Sequence, residues 1–215
     1  MATEGAPSAS DIVYLFGDRF AKKARMGGLP LVYGGHKVSL DDLGDKLLLA
    51  AFAGLASKGY LALETVQEKI LGLRTFRDVR VTPVQPPAEP LHGLEAAIWD
   101  NISGDPKMDR VRLIISRIIG GTCASPWSIL VDLTKSGLAD QGYLSVDKEE
   151  LRFRPDKVRW SANEGLIAPL GGKVDEVKAM LSSLETRDRA LYKQLEESVH
   201  KGIKAMVESS DSDFD

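Results

Sequence analysis

The sequence predicts a mainly α fold with small β-hairpins (α+β), a helical core with two winged-helix-like helix-plus-hairpin units. Three observations lead there. The stretch LASKGYLAL at 55–63 returns as LADQGYLSV at 138–146, with Gly59 and Gly142 83 residues apart. In each copy an apolar helical stripe stops at a glycine, and a Tyr-Leu pair then opens a short strand signal. Elsewhere the apolar residues recur mostly at steps of three and four, the spacing of one α-helix face.

Taken in order, residues 1–8 are small and polar, and a mobile N-terminus is expected there. Ser8 with Asp11 forms a capping-box signal, and Ile12, Leu15, Phe16 and Phe20 share a helix face until Met26, Gly27 and Gly28 stop it. The piece LPLVYGG reads as hairpin-like. Ser39 with Asp42 opens a second helix, whose stripe is Leu43, Leu47, Leu48, Ala51, Phe52 and Leu55 and whose stop is Gly59. YLALE and ILGLR then read as two strands around a polar turn, with FRDVRVTPVQPPAEP as an extended exit.

Helices are expected near 92–103 and 107–119, the latter carrying Met108, Val111, Ile114, Ile115 and Ile118 before Gly120 and Gly121. In the second unit Ser125 caps, Pro126 takes the first helical position, and Ile129, Leu130, Leu133 and Leu138 line the face. YLSV turns through DKEE into LRFR. Val177, Met180, Leu181 and Leu184 then precede a long amphipathic run through Leu191, Leu195, Val199, Ile203 and Met206, which covers the core or serves as a homo-oligomer interface. The closing ESSDSDFD, 208–215, is an acidic tail, so a single compact domain is expected over 9–207.

Composition narrows the function classes. At 215 residues and 43% hydrophobic content the chain buries a sizeable core without staples. A net charge of -3 draws it as a whole neither to nucleic acid nor to anionic lipid, so such binding needs a local patch. One cysteine, Cys123, fits a reducing cytoplasm and excludes a disulfide scaffold and a cysteine-rich zinc site. No segment reaches 18 apolar residues, and the start lacks the regions of a signal peptide, so a cytoplasmic chain is expected.

Catalytic patterns find no match. GxSxG is absent, the histidines His36, His92 and His200 lie far apart, and Cys123 stands alone before a helix. GLIAPLGGK has a Gly-Lys pair but Val174 where a phosphate loop needs Ser or Thr. There is no HExxH and no calcium loop, so neither metal nor cofactor is expected, and the chain reads as a non-enzyme.

Two basic stretches remain. DRFAKKARMGG carries Arg19, Lys22, Lys23 and Arg25 beside the apolar loop Leu29, Pro30, Leu31, Val32 and Tyr33. Cations there meet lipid phosphates while the loop dips into the interface, or else they simply satisfy a helix C-terminus. LRFRPDKVRW places Arg152, Arg154, Lys157 and Arg159 where a winged helix reaches DNA phosphates. The helices before the hairpins offer Asp41, Asp42 and Asp45, and Asp132, which phosphates repel, so nucleic acid is the lesser expectation.

The order of elements resembles the Golgi phosphoprotein 3 family over roughly residues 11–206. LASKGYL matches a family phrase that closes the second helix, VTPVQPPAEPLHGLEAAI a proline-rich exit into a helix, GLADQGYL a second closing phrase, and ETRDRALYKQL the start of the last helix. The resemblance implies a mostly helical fold acting as a non-enzymatic peripheral membrane adaptor that binds phosphatidylinositol 4-phosphate. It places the headgroup site at Tyr33, where the family has Trp, with Lys37 and Lys135 nearby. The family's basic pair falls on Val131, Asp132 and Leu133, and an Asp facing phosphate is repulsive. The leading expectation is thus an adaptor or scaffold with an unidentified protein partner and an anionic lipid surface. A tandem winged-helix DNA-binding regulator and a structural subunit of an assembly are the alternatives.

Overall fold

The computed structural model describes residues 6–24, 27–70, 74–149 and 157–207; side chains at 68–70, 74–76, 148–149 and 157 are not described. Helix α1, Ala9–Leu15, opens with the expected capping box: Ser8 Oγ accepts from the Asp11 N–H (3.1 Å), and Asp11 Oδ2 accepts from the Ser8 N–H (2.9 Å). It ends earlier than the sequence suggests. Glycine is a poor helix former, and at Gly17 the chain tightens into a 3-10 turn, Gly17–Arg19. An added Cβ on Gly17 would sit 3.1 Å from Leu31, so the turn also lets the next segment pack closely. That segment is a hairpin, β1 Leu29–Pro30 with β2 Lys37–Val38, pairing Leu29 with Val38.

Helix α2, Leu40–Ser57, is the central rod. Ser39 Oγ accepts from the Asp42 N–H, and Gly59 closes it at φ +75°, a conformation that favours glycine. Every residue from Leu47 to Leu55 is buried, because α1, α5 and later helices surround it. The predicted stripe is real, but it is part of a helix buried on nearly all sides.

The first hairpin pairs β3, Leu61–Ile70, with β4, Arg74–Pro83, from Leu61↔Pro83 to Ile70↔Arg74. This corrects the two-strand reading of YLALE and ILGLR. The return strand lies in the stretch expected as an extended exit, where Val79 (0% exposed) and Val81 (1%) supply the inward alternation. The outer part of β3 faces water at Glu64, Thr65 and Gln67, so its strand character has no apolar alternation to announce it.

Helices α3, Gly93–Asp100, and α4, Val111–Ile119, follow, the latter closed by Gly120 at φ +81°. Helix α5, Pro126–Asp140, has Pro at its first position, but Ser125 makes no side-chain cap; its hydroxyl pairs with that of Ser128 at 2.7 Å. The second hairpin pairs β5, Leu144–Glu149, with β6, Lys157–Ala162. Strand β5 continues through Asp147, Lys148 and Glu149, where the DKEE turn was expected, and the expected strand LRFR lies outside the described residues. The helix-plus-hairpin unit thus occurs twice, in an α+β fold that holds, among the described residues, helices and three separate two-stranded sheets.

After the short α6, Glu164–Ile167, helices α7, Lys173–Arg187, and α8, Arg189–Lys204, close the structure. Asp188 caps α8 by accepting from the Leu191 N–H at 2.9 Å. Leu195, Val199 and Ile203 are buried on the chain's own α4, α2 and β4. Burying three such side chains contributes roughly 5 to 9 kcal/mol, so this face is held by the core and is not free for a second copy. Among the described residues no helix is long and apolar enough to cross a membrane.

Candidate functional site

The expected lipid site divides on folding. Lys22, Lys23 and Lys37 come together: the Lys22 carbonyl accepts from the Ser39 N–H (2.8 Å), the Lys37 carbonyl accepts from the Ala24 N–H (3.1 Å), and Lys23 bridges to Val38. All three side chains are exposed, Lys22 at 85%. Arg19 and His36 stand at the same end, each 3.9 Å from Asp18. Arg25 lies outside the described residues. Leu31 does not join this rim. It is 3% exposed and packs into the core, so it is not available to dip into a lipid interface. Tyr33 is half-buried, edge-on to Phe16 with ring centroids 5.6 Å apart.

The acids beside these lysines are engaged locally. Asp42 Oδ2 accepts from the Lys22 N–H (2.7 Å), and Asp41 accepts the Ser39 hydroxyl, which with backbone amides holds its carboxyl below the usual range. Both sit in the first turn of α2, where the helix dipole favours negative charge. Asp42 Oδ1 also lies 3.9 Å from the Lys22 ammonium, and Asp41 is exposed, so the rim carries both signs of charge, with Lys23 and Lys37 exposed beside the Lys22–Asp42 pair.

Lys135 lies on α5. Its ammonium is 3.2 Å from Asp132 and 5.5 Å from the Trp160 ring centre, and its side chain is 13% exposed. Burial, and then the Asp132 charge, pushes the hydroxyl of buried Tyr14 up. On the second hairpin Arg159 is exposed, Arg152 and Arg154 fall outside the described residues, and the Lys157 side chain is not described. The opposite face of this hairpin is apolar: Val146 (40% exposed), Val158 (47%) and half-buried Trp160 extend outward from buried Leu144.

Two polar constellations were not visible in the sequence. In one, Asp45 on α2 accepts from Trp127 Nε1 (3.1 Å) and pairs with His200 Nδ1 (2.8 Å). An aspartate orienting a histidine supplies two of the three members of a catalytic triad. Among the described residues no hydroxyl or thiol is bonded to that ring, so the three groups act as a tie between α2, α5 and α8. Cys123 is far from this role; it is half-buried, and its N–H donates to the Met206 carbonyl at 2.9 Å.

The other constellation lines a cleft of about 330 Å³ between the start of α1, the end of α2, the segment 89–95, Gln141 and α7. Asp11 (1% exposed) and Glu95 (3%) converge on its wall. Glu95 accepts from the Ser10 N–H (3.1 Å) and the Ser10 hydroxyl (2.7 Å). Asp11 Oδ2 accepts from the Ser8 N–H and from Gln141 Nε2 (3.1 Å), while its Oδ1 is buried with no partner. Burial, then the neighbouring Asp11 charge, pushes the Glu95 carboxyl up to about 7; burial likewise raises Asp11. The one signal for this site was an acid in the apolar run GLEAAIW, between the buried Leu94 and Ile98. No group of three or more metal-ligating side chains occurs among the described residues.

No protein-family model matches the chain, and neither a curated protein nor a solved structure matches it significantly.

Proposed function

We propose that the chain is a non-enzymatic adaptor or scaffold that docks peripherally on an anionic membrane surface and carries a protein partner. The observation behind this is the rim of Lys22, Lys23 and Lys37, exposed together at one end of the fold, with Lys22 beside Asp42. The resemblance to Golgi phosphoprotein 3 proteins points the same way. With Leu31 in the core, the contact is electrostatic adsorption and not insertion. A cytoplasmic location follows from the same reading.

The test is co-sedimentation with vesicles of phosphatidylcholine alone, with phosphatidylserine, and with phosphatidylinositol 4-phosphate, at two salt concentrations and beside a duplex DNA control. Each lysine near an anionic surface contributes about 1 kcal/mol, so Lys22→Glu with Lys23→Glu and Lys37→Glu weakens binding by about 100-fold or more. Sedimentation unchanged by the triple variant, or equal on neutral vesicles, overturns the proposal. DNA binding lost on Arg152→Ala, Arg154→Ala and Arg159→Ala transfers function to the wing.

A further inference from the structure

A carboxylate taken out of water is costly unless a cation or a full set of donors replaces the hydration it loses. At the α1–α3 junction two such groups share one wall of an open cleft, and their partners inside the protein do not suffice. Ser8, Ser10 and Gln141 supply four donors, and Asp11 Oδ1 receives none. The structural role of the pair, capping α1 and docking it on α3, uses the other three oxygens and leaves this one unexplained.

The rest of the cleft fits one sign of charge. Lys173 is bonded to Glu176 through both carboxylate oxygens, at 2.8 and 3.0 Å, so that pair is self-neutralised. Lys58 at the rim then stands against Asp11, Glu95 and Glu89, with His92 beside Asp11. The remaining surface is apolar, from Ile12 and Leu55 to Val177 and Met180, with the ring of Tyr60. A volume of about 330 Å³ holds a small molecule and no polymer.

We propose that this cleft binds a small organic cation, a primary ammonium or amidinium on a short apolar body, with Asp11 and Glu95 as its counter-charges. The ammonium donates to Asp11 Oδ1 and shares Glu95 with Ser10, and the apolar body lies on Ile12, Leu55 and Met180. The site is separate from the lysine rim, so it stands or falls independently of membrane docking.

The experiment uses the full chain, isotope-labelled for NMR, titrated with n-hexylammonium and, as the neutral isostere, n-hexanol. Hexylammonium is expected to bind in the millimolar range with shifts at Gly54, Tyr60 and the Gln141 side-chain amide, and about tenfold more tightly than hexanol. Its affinity rises from pH 5.5 to pH 8 as the carboxyl pair ionises. Lys58, Glu89, His92 and the Lys173–Glu176 pair also face the cleft, so the same titration on Glu95→Gln isolates the pair. That variant keeps one acceptor for the Ser10 N–H, lets the Ser10 hydroxyl turn to accept from the new amide, and loses the preference for hexylammonium, leaving hexanol unchanged. Met180→Trp fills the cleft without touching the carboxylates and removes both probes. Equal binding of the two probes, shifts mapping elsewhere, or no shift at pH 8 overturns the proposal.

Discussion

Gly137→Ala tests the closest packing in the core. Gly137 lies inside α5, where α3 begins at Gly93, and a Cβ on Gly137 would fall 2.5 Å from both the Cα and the N of Gly93. Ordinary contacts of this kind start at 3.4 Å, so the helices must part by about 0.9 Å. Both sides of the contact are backbone, and no rotamer can yield. Alanine in place of glycine adds about 1 kcal/mol of helix propensity, and overpacking a rigid site costs about 3 kcal/mol. The net expectation is a loss of about 2 kcal/mol, read by urea unfolding, with a fall in Tm of about 4 to 8 °C. Ser136→Ala, one residue away and exposed, is the control and gains a few tenths of a kcal/mol. A second readout follows from the geometry, since parting α3 from α5 draws Glu95 away from Ser10 and changes the pH dependence of stability. If Gly137→Ala is as stable as the parent, the two backbones do not touch and the packing argument fails.

Three further expectations concern polar groups. Asp109, 1% exposed, accepts from the Ser103 N–H and hydroxyl, the Gly104 N–H and Arg117, so Asp109→Ala strands these donors and costs about 3 kcal/mol in urea unfolding; a loss under about 1 kcal/mol refutes the role. Glu95 has its folded-state pKa raised from 4.5 to about 7, so the folded state keeps a proton that the unfolded chain has released. Its contribution is therefore full below about pH 4.5 and is lost as pH rises through about 7, and Glu95→Gln flattens that slope and is more stable than the parent at pH 8; parallel pH profiles count against the assignment. For the tie between α2, α5 and α8, a double-mutant cycle of Asp45→Asn and Trp127→Phe should give a coupling of about 0.5 to 1.5 kcal/mol, and additive losses would show that the 3.1 Å contact carries no energy.

What the sequence discloses about this fold follows the distance over which each feature is determined. The Ser8–Asp11 box, the Ser39 cap and the stops at Gly59 and Gly120 are settled within four residues, and each forms where expected. The hairpins are settled by pairing between strands, and here the local reading misses: the return strand of the first runs through Arg74–Pro83, beyond ILGLR, and β5 of the second continues into the expected DKEE turn. A polar, charged stretch, TVQEK in the first hairpin and DKE in the second, reads as a turn because no apolar alternation marks a strand there. The sites lie further out still. Leu31 reads as an exposed loop residue next to prolines and glycines, yet it is buried beside Gly17, a contact no local pattern encodes. Lys22 and Lys37 meet because a two-residue strand pair returns the chain to the same place. Asp11 and Glu95 are 84 residues apart, and only the docking of α3 on α1 makes them a pair. The trace they leave is the acid at a core position: Glu95 occupies the register of Leu94 and Ile98, where a charge must be stabilised by something. Ser10 does part of this, and the unpartnered oxygen of Asp11 beside it places the remaining demand in the cleft.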